Sequence, residues 1–398
     1  MTVFMKVIAW IIFILSIMQV ILGVGKVLSE RVLIDFAVYY EAAKASLAGI
    51  NPYTQVYGDY IAYNYPPSAL VFFWPFTALS IFNSQLLFTL LSLSALLLTG
   101  YLLTQKIPQK NRTPFRLLVF SLLLQNFPTK FTLVMGQVNL FVLLFLTLAF
   151  LADQKKKFTL SGIFYALASM IKLTPLTLGL YFLVRRRFKS LIVGLGLFTV
   201  VNLIMLNLWH GTDVFFSDIL PQLIAQPGTQ ASLYDQSIRA FLARIGLGDS
   251  SLVLSALITF SLFGFAIIRY VSSKSSNKDF VFFSLVLAIT AIGSSYTWQH
   301  HLVFLFPGFI VETIYLIGLI KKTSPKKFSL LVGEGKGEVV TRVIFLLLSA
   351  ILVGYHFPDI AHPPTTNPLL ISHSLFGSLI LIGLLLTHQK RLPTTLVK

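Results

Sequence analysis

Five residues whose side chains can handle protons or phosphates lie far apart in the sequence: Asp35, Lys172, Arg239, His300 and His301. A carboxylate can take a proton from a hydroxyl group, and cationic side chains can hold a phosphate that leaves during a reaction. If these groups meet at one site, they suit an enzyme that acts on a lipid-linked phosphate. The residues alone do not name the reaction.

Asp35 opens a segment that alternates apolar and polar residues and is followed by Gly49. This pattern predicts a helix at the outer membrane surface that ends near Gly49. Two interpretations of Asp35 remain open. The carboxylate could cap the helix by accepting bonds from free backbone N–H groups, or it could be a general base that faces an external cleft.

Lys172 occurs in the sequence MIKLTP, at the predicted outer turn of a shallow helical hairpin. An ammonium group at membrane depth is costly unless it has an anionic partner, and a lipid phosphate would be such a partner. The alternative is that the long side chain extends to the outer headgroups.

Tyr234, Asp235, Gln236, Ser237 and Arg239 form a polar cluster in a second external stretch. Polar residues are common in loops, so this cluster also has an ordinary structural interpretation.

The segment Ser294 to His301, SSYTWQHH, lies where an apolar run reaches the same outer face. Adjacent histidines on a helix point in different directions, and no HExxH spacing or carboxylate cluster accompanies them, so we predict no metal site. Phosphate binding or proton transfer fits better. A tryptophan and histidines at a membrane interface can also be a simple aromatic belt.

The composition shows which elements must position these residues. Of 398 residues, 56% are hydrophobic and only 11% are charged, against about 25% charged in soluble domains. This excludes a water-soluble globular enzyme. The chain has no cysteine and a net charge of +17, which in a membrane protein reflects basic cytoplasmic loops. No P-loop or nucleic-acid module is recognisable, and we expect no nucleic-acid partner.

The sequence predicts an all-α, polytopic integral membrane protein with a single domain, 1–398. Placing the basic clusters in the cytoplasm puts about 24 lysines and arginines inside and about 7 outside. Both termini are then cytoplasmic, and the first span is retained. The predicted spans are approximately 5–25, 83–104, 116–131, 136–152, 159–172, 174–184, 190–208, 251–271, 280–296, 301–320, 341–356 and 369–387.

Two long extracytoplasmic loops, 26–65 and 210–250, contain eight of the fourteen acidic residues, which suggests a site on that side. Residues 321–341 are predicted to be a cytoplasmic linker. The segment 66–82 is apolar but contains three prolines. A full crossing there would move a basic cluster outside, so we predict a short re-entrant or interfacial helix.

Several motifs together resemble glycosyltransferase family 87 of the GT-C superfamily, the polyprenol-phosphate-mannose-dependent α-1,2-mannosyltransferases. They are Asp35 with NPY at 51–53, YPPSALVFFWP at 65–75, GQVNL at 136–140, SGIFYALASMIKLTP at 161–175, YDQSIRAFLAR at 234–244 and SSYTWQHHLVFLFP at 294–307. The chain departs from the family pattern at Asp235, where asparagine is frequent, and at Ser295, where proline is frequent.

This resemblance implies a GT-C-type bundle of about 12 transmembrane helices in a plasma membrane, with an extracytoplasmic active site. The implied reaction is an inverting transfer of a hexose, mannose by analogy, from a polyprenyl-phosphate sugar to a glycolipid or glycan hydroxyl. Asp35 would be the catalytic base, and no cofactor or metal is expected. The implied donor-phosphate residues are His300, His301, Lys172 and Arg239. The implied substrate-binding residues are Tyr65, Gln137, Asn139, Gln236, Ser237 and Trp298.

Membrane lipids are the remaining expected partner, and a prokaryotic plasma membrane is the expected location. A transporter or flippase of lipid-linked saccharides is the alternative function, since it could use the same cations without a base. That alternative predicts symmetric halves and charges near the bilayer midplane, which the sequence lacks. A non-catalytic scaffold would leave the polar clusters on the outer side unexplained.

Overall fold

The computed structural model describes residues 3–30, 32–54, 63–107, 109–209, 211–225, 235–322, 336–356 and 367–388. Within these ranges the protein is all-helical, and the only strand-like pairing is an isolated antiparallel bridge between Asp235 and Trp298. The prediction of an all-α fold is confirmed.

The α-helices are, in chain order, α1 (Val3–Glu30), α2 (Ile34–Leu47), α3 (Leu70–Phe73), α4 (Ile81–Leu103), α5 (Gln109–Gln125), α6 (Phe127–Met135), α7 (Asn139–Gln154), α8 (Phe158–Ile171), α9 (Gly179–Val184), α10 (Phe188–Leu208), α11 (Leu220–Ala225), α12 (Ile238–Arg244), α13 (Ser251–Ser272), α14 (Lys278–Gly293), α15 (Phe306–Lys322), α16 (Lys336–Gly354), α17 (Pro368–Ile371) and α18 (His373–Leu386). Short 3₁₀ turns are Pro67–Ala69, Trp74–Ala78, Thr104–Lys106, Thr174–Leu178 and Gln299–Leu305, and Phe215–Ile219 is a π-turn.

Six helical stretches in the described ranges are long and apolar enough to cross a membrane. They are Lys6–Glu30, Ile81–Leu103, Phe188–Leu208, Ser251–Ser272, Gln299–Ile320 and Gly337–Gly354. Helices α5 and α6 meet at an angle of 57° and together would make a seventh. The protein is therefore a multi-pass membrane protein.

Each of the twelve predicted spans coincides with helical structure, but several of these helices are too short to cross a bilayer when straight. Helices α8 and α18 have 14 residues each, and α7 and α14 have 16. Twelve crossings therefore remain a prediction. The proline-rich segment Pro67–Ala78 is a short broken helix, as its sequence predicted, and its depth in the membrane also remains a prediction.

The helix ends form two separate polar regions. One, here called the site end, contains residues 33–35, 136–139, 172, 235–239 and 294–301. Contacts join these turns across the chain, such as the bond from the Thr297 amide to Asp235 Oδ1 at 3.1 Å. The other, here called the far end, contains residues 153–158, 185–188, 269–279 and 387–388.

Two buried ion networks stabilise the far end. Arg185 contacts Asp153 of α7 and, at 2.7 Å, Asp279 of α14. Arg342 lies 2.9 Å from Glu312, joining α16 to α15. The basic clusters predict cytoplasmic loops for these cations, but no local sequence pattern indicates that they pair with acids. Since such pairs need several close partners to offset desolvation, they restrict how these helices can pack.

Gly136 ends α6 in the left-handed conformation, with φ of 73°. A Cβ atom at Gly136 would lie 2.7 Å from Phe36 Cβ and 3.0 Å from Leu33 Cβ. Glycine is therefore required both by the turn and by the close approach of α2, which brings Asp35 to the residues after α6.

We expect Gly136→Ala to lower the thermal unfolding temperature of the purified protein. A non-glycine residue in this conformation costs about 1–2 kcal/mol, and the contact with Phe36 adds to that cost. Gly49→Ala is the matched control, since Gly49 has φ of +74° and open space around it. Equal unfolding temperatures for the two variants would show that the close approach contributes nothing.

Candidate active site

Asp35 lies in the first turn of α2 and is partly exposed. Its Oδ2 accepts a hydrogen bond of 2.7 Å from Gln137 Nε2, 102 residues later in the chain. The N-cap position belongs to Leu33, and no side chain caps the helix there. The carboxylate is thus directed to the turn between α6 and α7, and the capping interpretation does not describe it.

Two tyrosines fix the orientation of the Gln137 amide. The hydroxyl groups of Tyr39 and Tyr65 lie 3.0 and 3.2 Å from Gln137 Oε1, and 2.7 Å from each other. Because a hydroxyl can donate to the amide oxygen, the amide nitrogen is left to donate to Asp35. Both tyrosines and Gln137 are buried, so this arrangement is well ordered.

The surroundings of Asp35 raise its pKa from 3.8 to about 6. Burial is the largest cause, because it disfavours the charged carboxylate. The hydrogen bond from Gln137 and the positive charge of Lys172 act in the opposite direction and limit the rise. Asp35 is therefore a stronger base than an exposed aspartate and is still mostly ionised at neutral pH.

Lys172 occupies the turn between α8 and the following 3₁₀ turn, as its motif predicted. Its Nζ donates to Asn139 Oδ1 at 3.0 Å and lies 2.7 Å from His301 Nε2. The Tyr65 ring centroid is 5.8 Å away. None of the ion pairs in the described ranges includes Lys172. Its charge is thus held by neutral partners.

The two histidines have different environments. An ammonium group can only donate, so when Lys172 is charged His301 Nε2 accepts from it and the ring carries its hydrogen on Nδ1. The His300 carbonyl accepts bonds from Asn139 Nδ2 at 3.1 Å and Thr132 Oγ1 at 3.3 Å. The His300 ring is buried, and its Nδ1 has no hydrogen-bond partner among the described residues.

The segment before α12 is joined to the segment that carries the histidines. The Gln236 amide donates to the Thr297 carbonyl at 2.6 Å. Asp235 Oδ1 accepts from the Thr297 amide at 3.1 Å and from the Ser237 amide at 3.0 Å. Trp298 follows, and its ring packs against those of Phe131 and His300, which also contact each other. Asp235 therefore fixes the backbone that leads into the two histidines.

Gln236, Ser237 and Arg239 have internal partners. The Gln236 side chain donates to the Ile371 carbonyl at 3.0 Å and accepts from the Ser374 amide at 3.2 Å. Ser237 Oγ caps α12 by accepting from the Ala240 amide at 3.0 Å. Arg239 donates to the Ile224 carbonyl at 3.1 Å. Tyr234 lies outside the described residues.

The structure thus forms two contact groups, one of Asp35, Tyr65 and Gln137 and one of Asn139, Lys172, His300 and His301. The two groups lie side by side, since Lys172 Nζ is 5.8 Å from the centroid of the Tyr65 ring. Gln236, Ser237 and Trp298 adjoin the second group through the Asp235–Thr297 contact, and Arg239 lies one helical turn further along α12. Tyr39 and Thr132 were not among the residues that the motifs indicated. Tyr39 follows Asp35 by four residues and therefore shares its helix face, a signal that the sequence does contain.

This arrangement can combine two chemical actions. The carboxylate can accept a proton, and the ammonium group with the His301 Nδ1–H can bind an anion. Among the described residues, no three His, Asp or Glu side chains group together as ligands for a metal ion.

Comparisons with known proteins agree with this chemistry. A 338-residue match gives 26% identity to the polyprenol-phosphate-mannose-dependent alpha-(1-2)-phosphatidylinositol mannoside mannosyltransferase of Mycolicibacterium smegmatis, covering 77% of this chain and 76% of that protein. The Mycobacterium tuberculosis protein of the same description is 25% identical over 70% of this chain and 69% of its own length.

A third relative, the M. smegmatis enzyme described as acting on phosphatidylinositol pentamannoside, is 25% identical over 69% of this chain and 68% of its own. The sequence profile of glycosyltransferase family 87 matches residues 63–295, more than half of the chain. The chain therefore belongs to glycosyltransferase family 87, in agreement with the resemblance of its motifs.

Proposed function

We propose that the protein transfers a mannosyl group from polyprenyl-phosphate mannose to a hydroxyl group of a glycolipid acceptor. The observation that carries this proposal is the placement of Asp35 and Lys172 in one polar group, opposite in charge but without direct contact. The names of the relatives support the donor and an acceptor of the phosphatidylinositol mannoside type.

In this proposal Asp35 is the catalytic base. The acceptor hydroxyl gives its proton to the carboxylate while its oxygen forms a bond to the anomeric carbon of the donor. The bond between that carbon and the phosphate oxygen breaks on the opposite side, and polyprenyl phosphate leaves with the electron pair. The product has inverted anomeric configuration. The pKa of Asp35, about 6, suits a base that acts near neutral pH.

Lys172 and His301 bind the phosphate that leaves. Lys172 uses two of its three N–H groups for Asn139 and His301, so one remains for a phosphate oxygen. The His301 Nδ1–H supplies a second donor. These donors gain strength as negative charge develops on the phosphate, which lowers the barrier. His300, with an unpartnered ring nitrogen in the described structure, is a further candidate phosphate donor.

The remaining predicted residues have supporting functions. Gln137, Tyr65 and Asn139 orient Asp35 and Lys172 and also face the substrates. Trp298 provides an aromatic surface beside His300 for the sugar or the lipid. The contacts of Gln236 and Ser237 favour positioning of the His300 segment over direct substrate binding. Arg239 completes the phosphate site only if α12 moves toward it.

The proposed topology places the site end outside the plasma membrane, both termini in the cytoplasm and about twelve helices across the bilayer. The concentration of basic residues at the far end supports this orientation. Membership of a glycosyltransferase family, together with a carboxylate suited to act as a base, favours the transferase over a transporter of lipid-linked saccharides.

We expect Asp35→Asn to reduce mannosyl transfer by about 10²–10⁴-fold, because the amide cannot accept the proton. Transfer is measured with radiolabelled polyprenyl-phosphate mannose and extracted glycolipids, using protein in nanodiscs. Asp249→Asn, an exposed acid beside the start of α13, is the matched control and should keep full activity. An active Asp35→Asn variant would overturn the assignment of the base.

The rate of transfer should fall as the pH decreases through about 6. Because the pKa of Asp35 is raised to about 6, the protonated and inactive form becomes dominant below that pH. At pH 5 only about a tenth of the base remains ionised. Gln137→Leu removes a hydrogen bond that favours the carboxylate. The variant should therefore lose activity at a higher pH than the wild type does. A wild-type transfer rate that falls only near pH 4 would contradict the raised pKa of the base.

Lys172→Gln should lower kcat/KM for the donor by about 10- to 100-fold, the range expected when one hydrogen bond to a charged group is lost. Lys44→Gln, which removes an exposed cation of α2, serves as control. The KM of the acceptor should stay within twofold of the wild-type value. If the acceptor KM rises instead while donor kinetics are unchanged, Lys172 binds the acceptor and not the leaving phosphate.

A further inference from the structure

The far end contains an open cleft with an unusual set of donors. The cleft is small and partly open to the surface. It lies between the end of α13, the start of α14 and the second residue after α18. Its polar lining residues are Arg269, Ser273, Ser275, Lys278 and His388, with Tyr270 beside them. No acidic residue lines it, and its floor is apolar.

The two strong cations of this cleft lack anionic partners. Neither Arg269 nor Lys278 takes part in an ion pair in the part of the chain that the structure describes. Lys278 Nζ lies over the Tyr270 ring, 4.8 Å from its centroid. The nearby acid Asp279 is occupied by Arg185 and by the Tyr270 hydroxyl. Neither cation is therefore paired directly with an acid within the described ranges.

The two serines of the cleft also have unused donors. Ser273 Oγ accepts from the Ser275 amide, and Ser275 Oγ accepts from the Asn277 amide, each at 3.3 Å. Neither hydroxyl donates to an acceptor within the described ranges, although Ser273 is buried. Two cations and two hydroxyl donors thus converge on one space, which is a suitable environment for a phosphate group.

The outer face of α13 next to the cleft is apolar and exposed. Phe265, Ile268 and Val271 are 60%, 65% and 71% exposed. In a membrane protein, such a face contacts lipid chains. A phosphate in the cleft that belonged to a phospholipid would therefore have its acyl chains along α13. Basic pockets between membrane helices bind anionic headgroups in this way.

We propose that this cleft binds the phosphate of an anionic phospholipid, separately from the substrates. The length of α14 supports two separate sites, the cleft and the candidate active site. Helix α14 runs from Lys278 at the cleft to Gly293 beside the histidine segment, and its 16 residues span about 24 Å. The lipid would bind in the opposite leaflet from the reaction and would stabilise the junction of α13, α14 and α18.

The test measures retention of lipid by the purified full-length protein. Protein in mild detergent is mixed with phosphatidylglycerol or phosphatidylcholine, and bound lipid is counted by native mass spectrometry. The wild type should retain phosphatidylglycerol at least tenfold better than phosphatidylcholine. Arg269→Gln with Lys278→Gln should remove that preference. Lys189→Gln with Lys274→Gln removes two exposed cations from the same end and is the matched control.

Three outcomes would overturn the proposal: no preference in the wild type, loss of preference in the control as well, or competition by millimolar inorganic phosphate without lipid retention. The last would assign the cleft to a free phosphate. If the double variant does not fold, Ser273→Ala takes its place. The thermal unfolding temperature of the wild type is then also measured with and without each lipid. A stabilisation specific to phosphatidylglycerol then supports the site, and its absence contradicts it.

Discussion

The cost of holding an ammonium group away from bulk water determines much of this structure. Lys172 lies at a turn between two apolar helices, where an unpaired charge is unfavourable. The protein supplies only neutral partners to it, Asn139 and His301. Asn139 is in turn held by the His300 carbonyl, and the His300 segment is held by Asp235 through Thr297. An anionic ligand at this point would find its partner already oriented by neutral groups, and its negative charge would favour the ammonium form of Lys172.

The two ends of the bundle use charge in different ways. At the far end, Asp153, Glu312 and Asp279 each contact at least one arginine, so their charges are largely neutralised within the protein. These networks join helices that are distant in sequence and have a structural function. The site end keeps a carboxylate and an ammonium group apart. Pairing therefore distinguishes the charges that stabilise the bundle from those that remain for a ligand.

Hydropathy and charge were sufficient to predict the helical stretches, because each depends on consecutive residues. The end of α2 near Gly49 and the broken helix after Pro67 were also predictable from local sequence. The contacts within the site were not. Gln137 lies 98 residues from Tyr39 and 72 from Tyr65, and no local pattern reports such a distance. The motifs identified Gln236 and Ser237, but only the structure shows that their side chains bind α18 and cap α12.

The hydrogen bond of Asp35 with Gln137, in place of direct contact with Lys172, explains how a base can exist beside a cation. Direct contact with Lys172 would favour the carboxylate and lower the pKa of Asp35 further. A less basic carboxylate would remove a proton from a hydroxyl less readily. The Gln137 amide instead gives Asp35 one neutral hydrogen bond, and burial keeps the pKa of Asp35 near 6. Lys172 then remains available for negative charge that develops elsewhere, on the phosphate of the donor. Keeping the carboxylate and the ammonium group out of direct contact is thus a requirement of the proposed chemistry, since one site must both accept a proton and stabilise a leaving anion.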